Sequence, residues 1–374
     1  MRKIIAIVLL LLLCASALAE AAPGNRLGYK VLAELSGGKR NAFVSPVSLA
    51  WALSMAADGA KGETRQKLLK ALDADDTDAV AALAEPLVEA GVRWANAAFV
   101  ADSLALLEDY EARIASAYEA ERFALSGADA VKDWVREKTD GLIEDIPLSL
   151  DGDAKLVLAN AVAMEAEWAS PFEPDDTWDD TFHTPDGDVT VPFMHQETYA
   201  QYGEGMGVQL VCKGYMNGGL ALMIALPPEG GLKRALTNLA ENPNSFFTFK
   251  PNPQNVSLAL PKLDLSTEES LVDAIVATGC WVPFSDKYAD FSGISDTPLL
   301  VSDVLQQVRF QLDEEGTRAA AATEVVMVEG TALDDDEGPK PIPFVCDRPF
   351  IVAVVDRSTG AILFAGAVVN PLGD

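Results

Sequence analysis

The amino-acid sequence predicts an α+β fold in which helices come first and substantial β-sheets follow. Three observations carry this prediction. Helical spacing of apolar residues prevails up to about residue 140, strand patterns prevail after about residue 155, and no linker, composition break or internal repeat divides the chain. The 374 residues, 49% of them hydrophobic, suffice for a large core. We therefore expect one large domain.

The predicted helices lie in the first 140 residues. Asn25–Leu35 carries apolar side chains at helical spacing and stops at Ser36-Gly37-Gly38. A nearly all-apolar helix, Leu49–Ala57, follows Ser45-Pro46-Val47-Ser48, whose serines and proline are typical of a helix start. Further helices are predicted over Thr64–Leu72, Tyr110–Ala120 and Ala128–Thr139, with a strand over Trp94–Val100.

The predicted strands occupy the rest of the chain. Phe350–Val355 and Ile362–Val369 flank the turn sequence Asp356-Arg357-Ser358-Thr359-Gly360 and are expected to form a hairpin. Other strands are predicted over Leu156–Met164, Val189–Met194, Gly219–Leu226 and Val256–Pro261.

Residues 1–19 have the pattern of a secretory signal peptide. Arg2 and Lys3 precede an unbroken apolar run from Ile4 to Leu13, and Ala17-Leu18-Ala19 offers small residues for cleavage. The run is too short to span a membrane. A lipid on Cys14 is the alternative, which the bulky Leu13 before it disfavours. We expect a secreted protein whose single mature domain covers residues 20–374.

Net charge and cysteine content limit the kinds of partner and cofactor that we expect. Cleavage would remove Arg2 and Lys3, leaving 26 basic against 57 acidic residues and a net charge of −31. Such a surface repels nucleic acid, polyanions and anionic lipid, so we expect neither nucleic-acid nor membrane binding. Cys212, Cys280 and Cys346 would remain; an odd number without metal-ligand spacing predicts buried free thiols and no metal or other cofactor.

The segment between Phe310 and Phe350 is unusually long for a loop. A solvated insertion is one interpretation, but residues 317–328 alternate with a period of two, which a solvated loop does not need. Both charged residues of this stretch, Arg318 and Glu324, fall on the same face. The pattern describes a segment able to be either a loop or a buried strand.

Six motifs, in order along the chain, together cover nearly all of the mature protein. They are Asn41–Leu49 (NAFVSPVSL), Asp58–Thr64 (DGAKGET), Leu158–Val162 with Trp168 and Pro171-Phe172, Tyr288–Gly293 (YADFSG), Asp347–Phe350 (DRPF) and Val369-Asn370-Pro371. These motifs resemble those of the serpin family. The resemblance implies a serpin fold of about nine helices and three β-sheets, with a hinge and an exposed reactive-centre loop at about 314–343.

The same resemblance implies a mechanism and a hinge. A serine or cysteine protease would cut the loop, and the freed end would enter the largest sheet as a strand, trapping the acyl-enzyme. Usual family spacing from Gly316 puts the cut at Gly330-Thr331, within the range Met327 to Leu333. The implied hinge residues are Glu314, Glu315, Gly316, Thr317, Ala319, Ala320, Ala321 and Ala322.

A polar cluster under the opening sheet is implied by the family as well. It would contain Ser45, Ser48 and Asn160, with Trp168 where insertion begins and Gln306 in place of the histidine that many members carry. The serines could equally be helix caps. We expect Thr317 at the loop base near solvent. The acidic residues Asp334 to Gly338 lengthen the loop, and they are interpreted as solvated rather than as a calcium site.

The sequence argues against an enzyme, since it has two histidines and no Gly-x-Ser-x-Gly motif. We expect a monomeric inhibitor of extracellular serine proteases; the alternative is a non-inhibitory serpin that binds or carries another molecule. No Lys or Arg lies between Ala319 and Glu337, which points to elastase- or subtilisin-like targets. Asn255-Val256-Ser257 is a glycosylation sequon.

Overall fold

The computed structural model describes residues 22–90, 92–141, 154–205, 207–216, 218–243, 252–317 and 340–373. These residues form an α+β fold, as predicted. The signal-peptide prediction and the loop residues 318–339 lie outside the described ranges. The helices are α1 (Asn25–Ser36), α2 (Pro46–Gly59), α3 (Gly62–Leu72), α4 (Asp78–Ala81), α5 (Ala84–Glu89), α6 (Glu108–Tyr118), α7 (Ala128–Lys138), α8 (Leu232–Glu241) and α9 (Val272–Ala277).

The largest sheet contains the predicted C-terminal hairpin. Phe350–Asp356 pairs antiparallel with Ile362–Val368 and with the strand Leu220–Leu226, and every residue of these three strands is buried. Its strands are β1 (Ala42–Val44), β6 (Thr177–Thr184), β7 (Gly187–Gly205), β8 (Val208–Gly214), β9 (Leu220–Leu226), β10 (Asn252–Pro261), β14 (Ile342–Val345), β15 (Phe350–Asp356) and β16 (Ile362–Val368).

Two smaller sheets meet edge to edge. The first has the order β3 (Glu121–Ala124), β2 (Arg93–Val100), β4 (Leu156–Ala163). The second has the order β11 (Leu263–Ser270), β12 (Leu305–Leu312), β13 (Gly316–Thr317), β5 (Ala166–Glu167). Because β5 follows β4 after only two residues, the chain itself joins the two sheets at one end.

The core lies between the helices and these sheets. The helix α2 is buried along nearly its whole length, which explains its lack of a polar face. On the opposite side of the three-stranded sheet, α7 packs Trp134 and Val135 against Phe99 of β2. The sheet therefore has α2 beneath it and α7 above it.

Candidate functional site

The two smaller sheets separate below their shared end, leaving a cleft between β4 and β12. Within the described residues, β4 pairs only with β2, and β12 pairs with β11 and, through Leu312 alone, with Thr317. A cavity of about 650 Å³ lies between the two facing edges. Its lining includes Ser45, Ser48 and Leu49 from α2 and its cap, and Val131 from α7. The cleft thus has room and two unpaired edges for another strand.

The predicted hinge begins where this cleft closes. After β12, Asp313 Oδ1 accepts hydrogen bonds from the backbone N–H groups of Glu315 and Gly316, both at 3.0 Å, and so fixes a tight turn. The chain then turns back as β13, with Gly316 opposite Glu167 and Thr317 opposite Ala166. Two hinge residues are therefore already inserted between β5 and β12.

Gly316 is required by the close approach of β5. A Cβ atom at this position would lie 2.1 Å from the carbonyl oxygen of Ala166, and backbone cannot move aside as a flexible side chain does. The absence of a side chain lets the turn enter the sheet.

Thr317 is buried, which makes our prediction of a position near solvent wrong. Its side chain is 5% exposed, and its hydroxyl lies 2.5 Å from the hydroxyl of Tyr215. The reason is the β13 pairing, which points Thr317 into the core rather than towards the surface. The buried Thr317 hydroxyl is tolerated because it forms a hydrogen bond with the Tyr215 hydroxyl.

An aromatic pair holds the turn in place. Trp168, fully buried, stacks on Tyr215 with ring centroids 4.7 Å apart. The Trp168 indole Nε1–H donates to the Asp313 carbonyl at 3.0 Å, and its backbone N–H donates to the Glu315 carbonyl at 2.8 Å. Trp168, predicted from the family motif, thus lies at the hinge and not with the polar cluster.

Glu314 anchors the turn to the neighbouring sheet. Its carboxylate accepts hydrogen bonds from the Lys262 ammonium at 2.6 Å and the Thr177 hydroxyl at 2.9 Å, and its carbonyl accepts from the Phe172 N–H. Burial raises the pKa of this carboxyl, but the hydrogen bonds lower it more, so the net pKa lies below its ordinary value.

A buried lysine that the sequence analysis missed supports the same aromatic layer. Lys213 is 5% exposed, and its ammonium lies over the rings of Trp168 and Phe172, at 5.3 and 4.3 Å from their centroids. It donates to the Ser170 carbonyl and to Gln196 Oε1. Within the described part of the chain no carboxylate pairs with it. Burial lowers the pKa of Lys213 to about 7.

The predicted polar cluster is brought together in part. Ser45 and Gln306 are joined by two hydrogen bonds, from Ser45 N–H to Gln306 Oε1 at 2.8 Å and from Gln306 Nε2 to the Ser45 carbonyl at 3.1 Å. The Ser45 hydroxyl also caps α2 by accepting from Ser48 N–H. Ser45 is therefore both the cap of α2 and the hydrogen-bond partner of Gln306. An amide thus joins the cap of α2 to the cleft edge of β12.

Asn160 lies on the β4 side of the cleft, away from that pair. Its Nδ2 donates to Oδ1 of Asn96, a buried residue that the sequence analysis did not identify. Its own Oδ1 is buried without a partner, and so is Oε1 of Gln307, which belongs to β12. Each edge of the cleft therefore carries an unsatisfied acceptor among the described residues, an arrangement that is uncommon in folded proteins.

The remaining predicted site residues lie outside the described ranges. They are Ala319, Ala320, Ala321 and Ala322 of the hinge, Gly330 and Thr331 of the scissile region with its range Met327 to Leu333, and the acidic insertion Asp334 to Gly338.

The described residues contain neither a metal-ligand cluster nor a helix able to span a membrane. No group of three or more His, Cys, Asp or Glu side chains there is placed to hold a metal ion. The helices in those ranges are also too short or too polar to cross a bilayer.

Fold and site together define a class of proteins with a strand-sized cleft in a sheet and a hinge entering it. The family profile "Serpin (serine protease inhibitor)" matches residues 23–371. A serpin-like protein of Thermococcus kodakarensis is 33% identical over 93% of this chain and 84% of its own. Corticosteroid-binding globulin of Oryctolagus cuniculus is 32% identical over 90% and 91%. The chain belongs to the serpin family.

A solved structure agrees with this assignment. The native state of the thermophilic serpin Tengpin matches with a TM-score of 0.81 and 26% identity, over 93% of both chains. Serpins include protease inhibitors, and they also include relatives named for the hormone they bind.

Proposed function

We propose that this protein inhibits serine proteases by acting as a suicide substrate, with residues 318–339 presenting the bond to be cut. The observation that carries the proposal is the hinge, which already enters the sheet at the head of an open cleft. After cleavage, the freed segment would continue β13 into that cleft and carry the acylated enzyme with it.

The register of β13 indicates where each residue would lie. A one-for-one continuation of the pairing of Thr317 with Ala166 and Leu312 puts Thr323 between Asn160 and Gln306. The new strand would place backbone N–H and C=O groups along both edges of the cleft, where β4 and β12 lack ladder partners. Alternate residues from Ala319 to Met327 would face the apolar side chains of α2, as Thr317 already faces the core.

The energetic gain is large enough to drive the change. About ten new ladder hydrogen bonds, at roughly 1 kcal/mol each, would stabilise the cleaved form by on the order of 10 kcal/mol. Burial of Val325 and Met327 would add roughly 1.5–3 kcal/mol apiece. The intact form is then held by a kinetic barrier, since the more stable inserted form becomes accessible only after the loop is cut.

The target class follows from the composition of the loop. Because Ala319 to Glu337 contains no Lys or Arg, trypsin-like enzymes find no basic residue at the predicted cut, and elastase- or subtilisin-like enzymes are the expected targets. The apolar N-terminal run supports secretion, and with it an extracellular meeting with these enzymes.

A non-inhibitory binding or carrier protein is the second candidate, favoured by the likeness to corticosteroid-binding globulin. Incubation with a panel of proteases separates the two. An inhibitor forms complexes that survive denaturing gels, and mass spectrometry of the released C-terminal fragment locates the cut between Met327 and Leu333. A carrier is cut without a stable complex. Efficient inhibition with a cut after Arg318 or Lys340 would refute the proposed target class.

A further inference from the structure

The outward face of the sheet formed by β6, β7, β10 and β14 exposes large apolar side chains. Trp178, Tyr199 and Val345 are 50%, 78% and 39% exposed. The Trp178 indole stacks on the His195 ring with centroids 3.6 Å apart and planes 5° apart. The register aligns His195 with Ala259 and Ala259 with Val345, so these side chains share one face. We call this surface the aromatic face.

The aromatic face is distinct from the core side of the same strands. Met194, Leu258 and Phe344 alternate with the outward residues and are at most 1% exposed. Exposed tryptophan and tyrosine side chains on one surface are of the kind most often used as anchors in protein interfaces.

The aromatic face borders both ends of residues 318–339, the segment proposed to present the bond that is cut. At one end, the Thr177 hydroxyl, next to Trp178, donates to the hinge residue Glu314 at 2.9 Å. At the other end, β14 begins at Ile342, two residues after Lys340. A protease that binds any bond of residues 318–339 is therefore tethered close to this face, which raises its effective concentration there.

The acidic residues around the aromatic face determine which kind of molecule could bind there. Residues 171–212 contain nine Asp or Glu and no Lys or Arg. Asp176, Asp179, Asp180 and Glu197, on or beside the aromatic face, are exposed. The segment 318–339 has six acidic residues and one arginine, and another copy of this chain is strongly acidic too. Both would be repelled, whereas a basic surface would be attracted.

We propose that the aromatic face docks the target protease through a basic patch outside the protease active site. An Arg or Lys of the enzyme would stack on the Trp178 indole and pair with the flanking carboxylates. This inference rests on the proposed inhibitory function and adds to it a second contact, which selects basic enzymes among those that accept the loop sequence.

The test measures binding to a basic elastase-like protease whose catalytic serine is replaced by alanine, so that no trapping is needed. Trp178→Ala should weaken binding about tenfold at low salt, and Asp179→Asn with Asp180→Asn should weaken it and reduce its salt dependence. Trp281→Ala is the matched control, because Trp281 is 42% exposed but lies outside this sheet. It should bind as the parent does.

The outcomes separate the two proposals. If Trp178→Ala binds as tightly as the parent and Trp281→Ala, or if the parent does not bind the inactivated enzyme, the docking surface is refuted. If binding follows the expected pattern but active enzyme never forms a denaturant-stable complex, the inhibitory function alone is refuted.

Discussion

In the proposed mechanism, insertion would depend most directly on Thr317. Arginine at this position would have to place a charge beside Tyr215 in the core, without a partner, at a cost on the order of several kcal/mol. Thr317→Arg should therefore expel the hinge and leave the acyl-enzyme time to hydrolyse. Gels should show cleaved protein and little complex, with the stoichiometry of inhibition raised about tenfold or more.

Because Thr317 is buried in the intact protein, Thr317→Arg should also lower the melting temperature of the uncut form. Arg318→Glu is the control at the neighbouring position, expected to face outward and to leave trapping intact. Trapping by Thr317→Arg at the parent's efficiency would contradict the insertion mechanism.

Lys213 should make stability depend on pH near neutrality. Burial lowers its pKa to about 7, against an ordinary value of 10.5. Between these values the unfolded chain holds the proton and the folded chain does not, so the free energy of unfolding should rise from pH 7 upward. The full difference corresponds to on the order of 5 kcal/mol, and attraction to the two rings opposes it.

Lys213→Met removes the charge and keeps the packing. Denaturant midpoints of both proteins at pH 6, 7, 8 and 8.5 measure the effect, and the midpoint of the parent should rise relative to that of Lys213→Met as the pH rises. Measurements stay below pH 9, because burial raises the pKa of the Cys346 thiol and gives the opposite trend above that value. A difference that does not change with pH would show that Lys213 is not charged in the way we infer.

At the scale of single residues, sequence reasoning identified the positions but not all of their contacts. Ser45 and Gln306 were found through the family motifs, and they do meet. Asn96 and Lys213 were missed, because their burial depends on strands far apart in sequence. A signal for Lys213 was present, because it is the only charged residue of the otherwise uncharged strand Val208–Gly214.

At the scale of elements, β13 is the critical one, and Gly316 gives it access to the sheet. Gly316→Ala places a methyl group 2.1 Å from the Ala166 carbonyl oxygen, so the pairing with β5 should be lost. We expect slower insertion and a stoichiometry of inhibition raised severalfold, measured by titration against a fixed amount of protease.

Gly37→Ala is the control for Gly316→Ala. Gly37 ends α1 with a positive φ of 54°, so alanine there is strained, but a Cβ meets no atom within 4 Å. A loss of stability with unchanged stoichiometry is expected. Equal stoichiometries for the two variants would mean that the approach of Gly316 to Ala166 has no bearing on insertion.

The long helices and the buried strands were predictable because each carries its own local pattern, which is helical spacing of apolar residues in α1 and an unbroken apolar run in β9. β3 was not, because its Glu121-Arg122-Phe123-Ala124 sequence has no strand pattern and is ordered by pairing with β2. β5 and β13 are two residues each, and they form through their pairing with each other and through the pairing of β13 with β12. The cleft between β4 and β12 could be inferred only from the family resemblance. No local sequence pattern shows that a strand lacks a hydrogen-bonded neighbour on one edge.

At the scale of the whole molecule, cleavage should stabilise rather than weaken the fold. A strand that fills the cleft adds hydrogen bonds along two edges, whereas a nick in an ordinary loop leaves contacts unchanged. After limited proteolysis within residues 318–339, the melting temperature should rise by more than 10 °C, as on the order of 10 kcal/mol implies for a domain of this size. Calorimetry before and after the cut measures it, and an unchanged or lower midpoint would favour the carrier alternative.

The position of Gly316 and Thr317 within the intact sheet also affects whether insertion would precede hydrolysis of the acyl-enzyme. Addition of a strand to a sheet resembles other cooperative transitions. Formation of the first contacts is the slow step, and later contacts form quickly. Here those first contacts form when the protein folds, long before any enzyme arrives. Under the proposed mechanism, insertion would start from this preformed pairing, and its rate would be set by the remaining pairing down the cleft. An inhibitor built in this way gains time over deacylation without any change at the scissile bond.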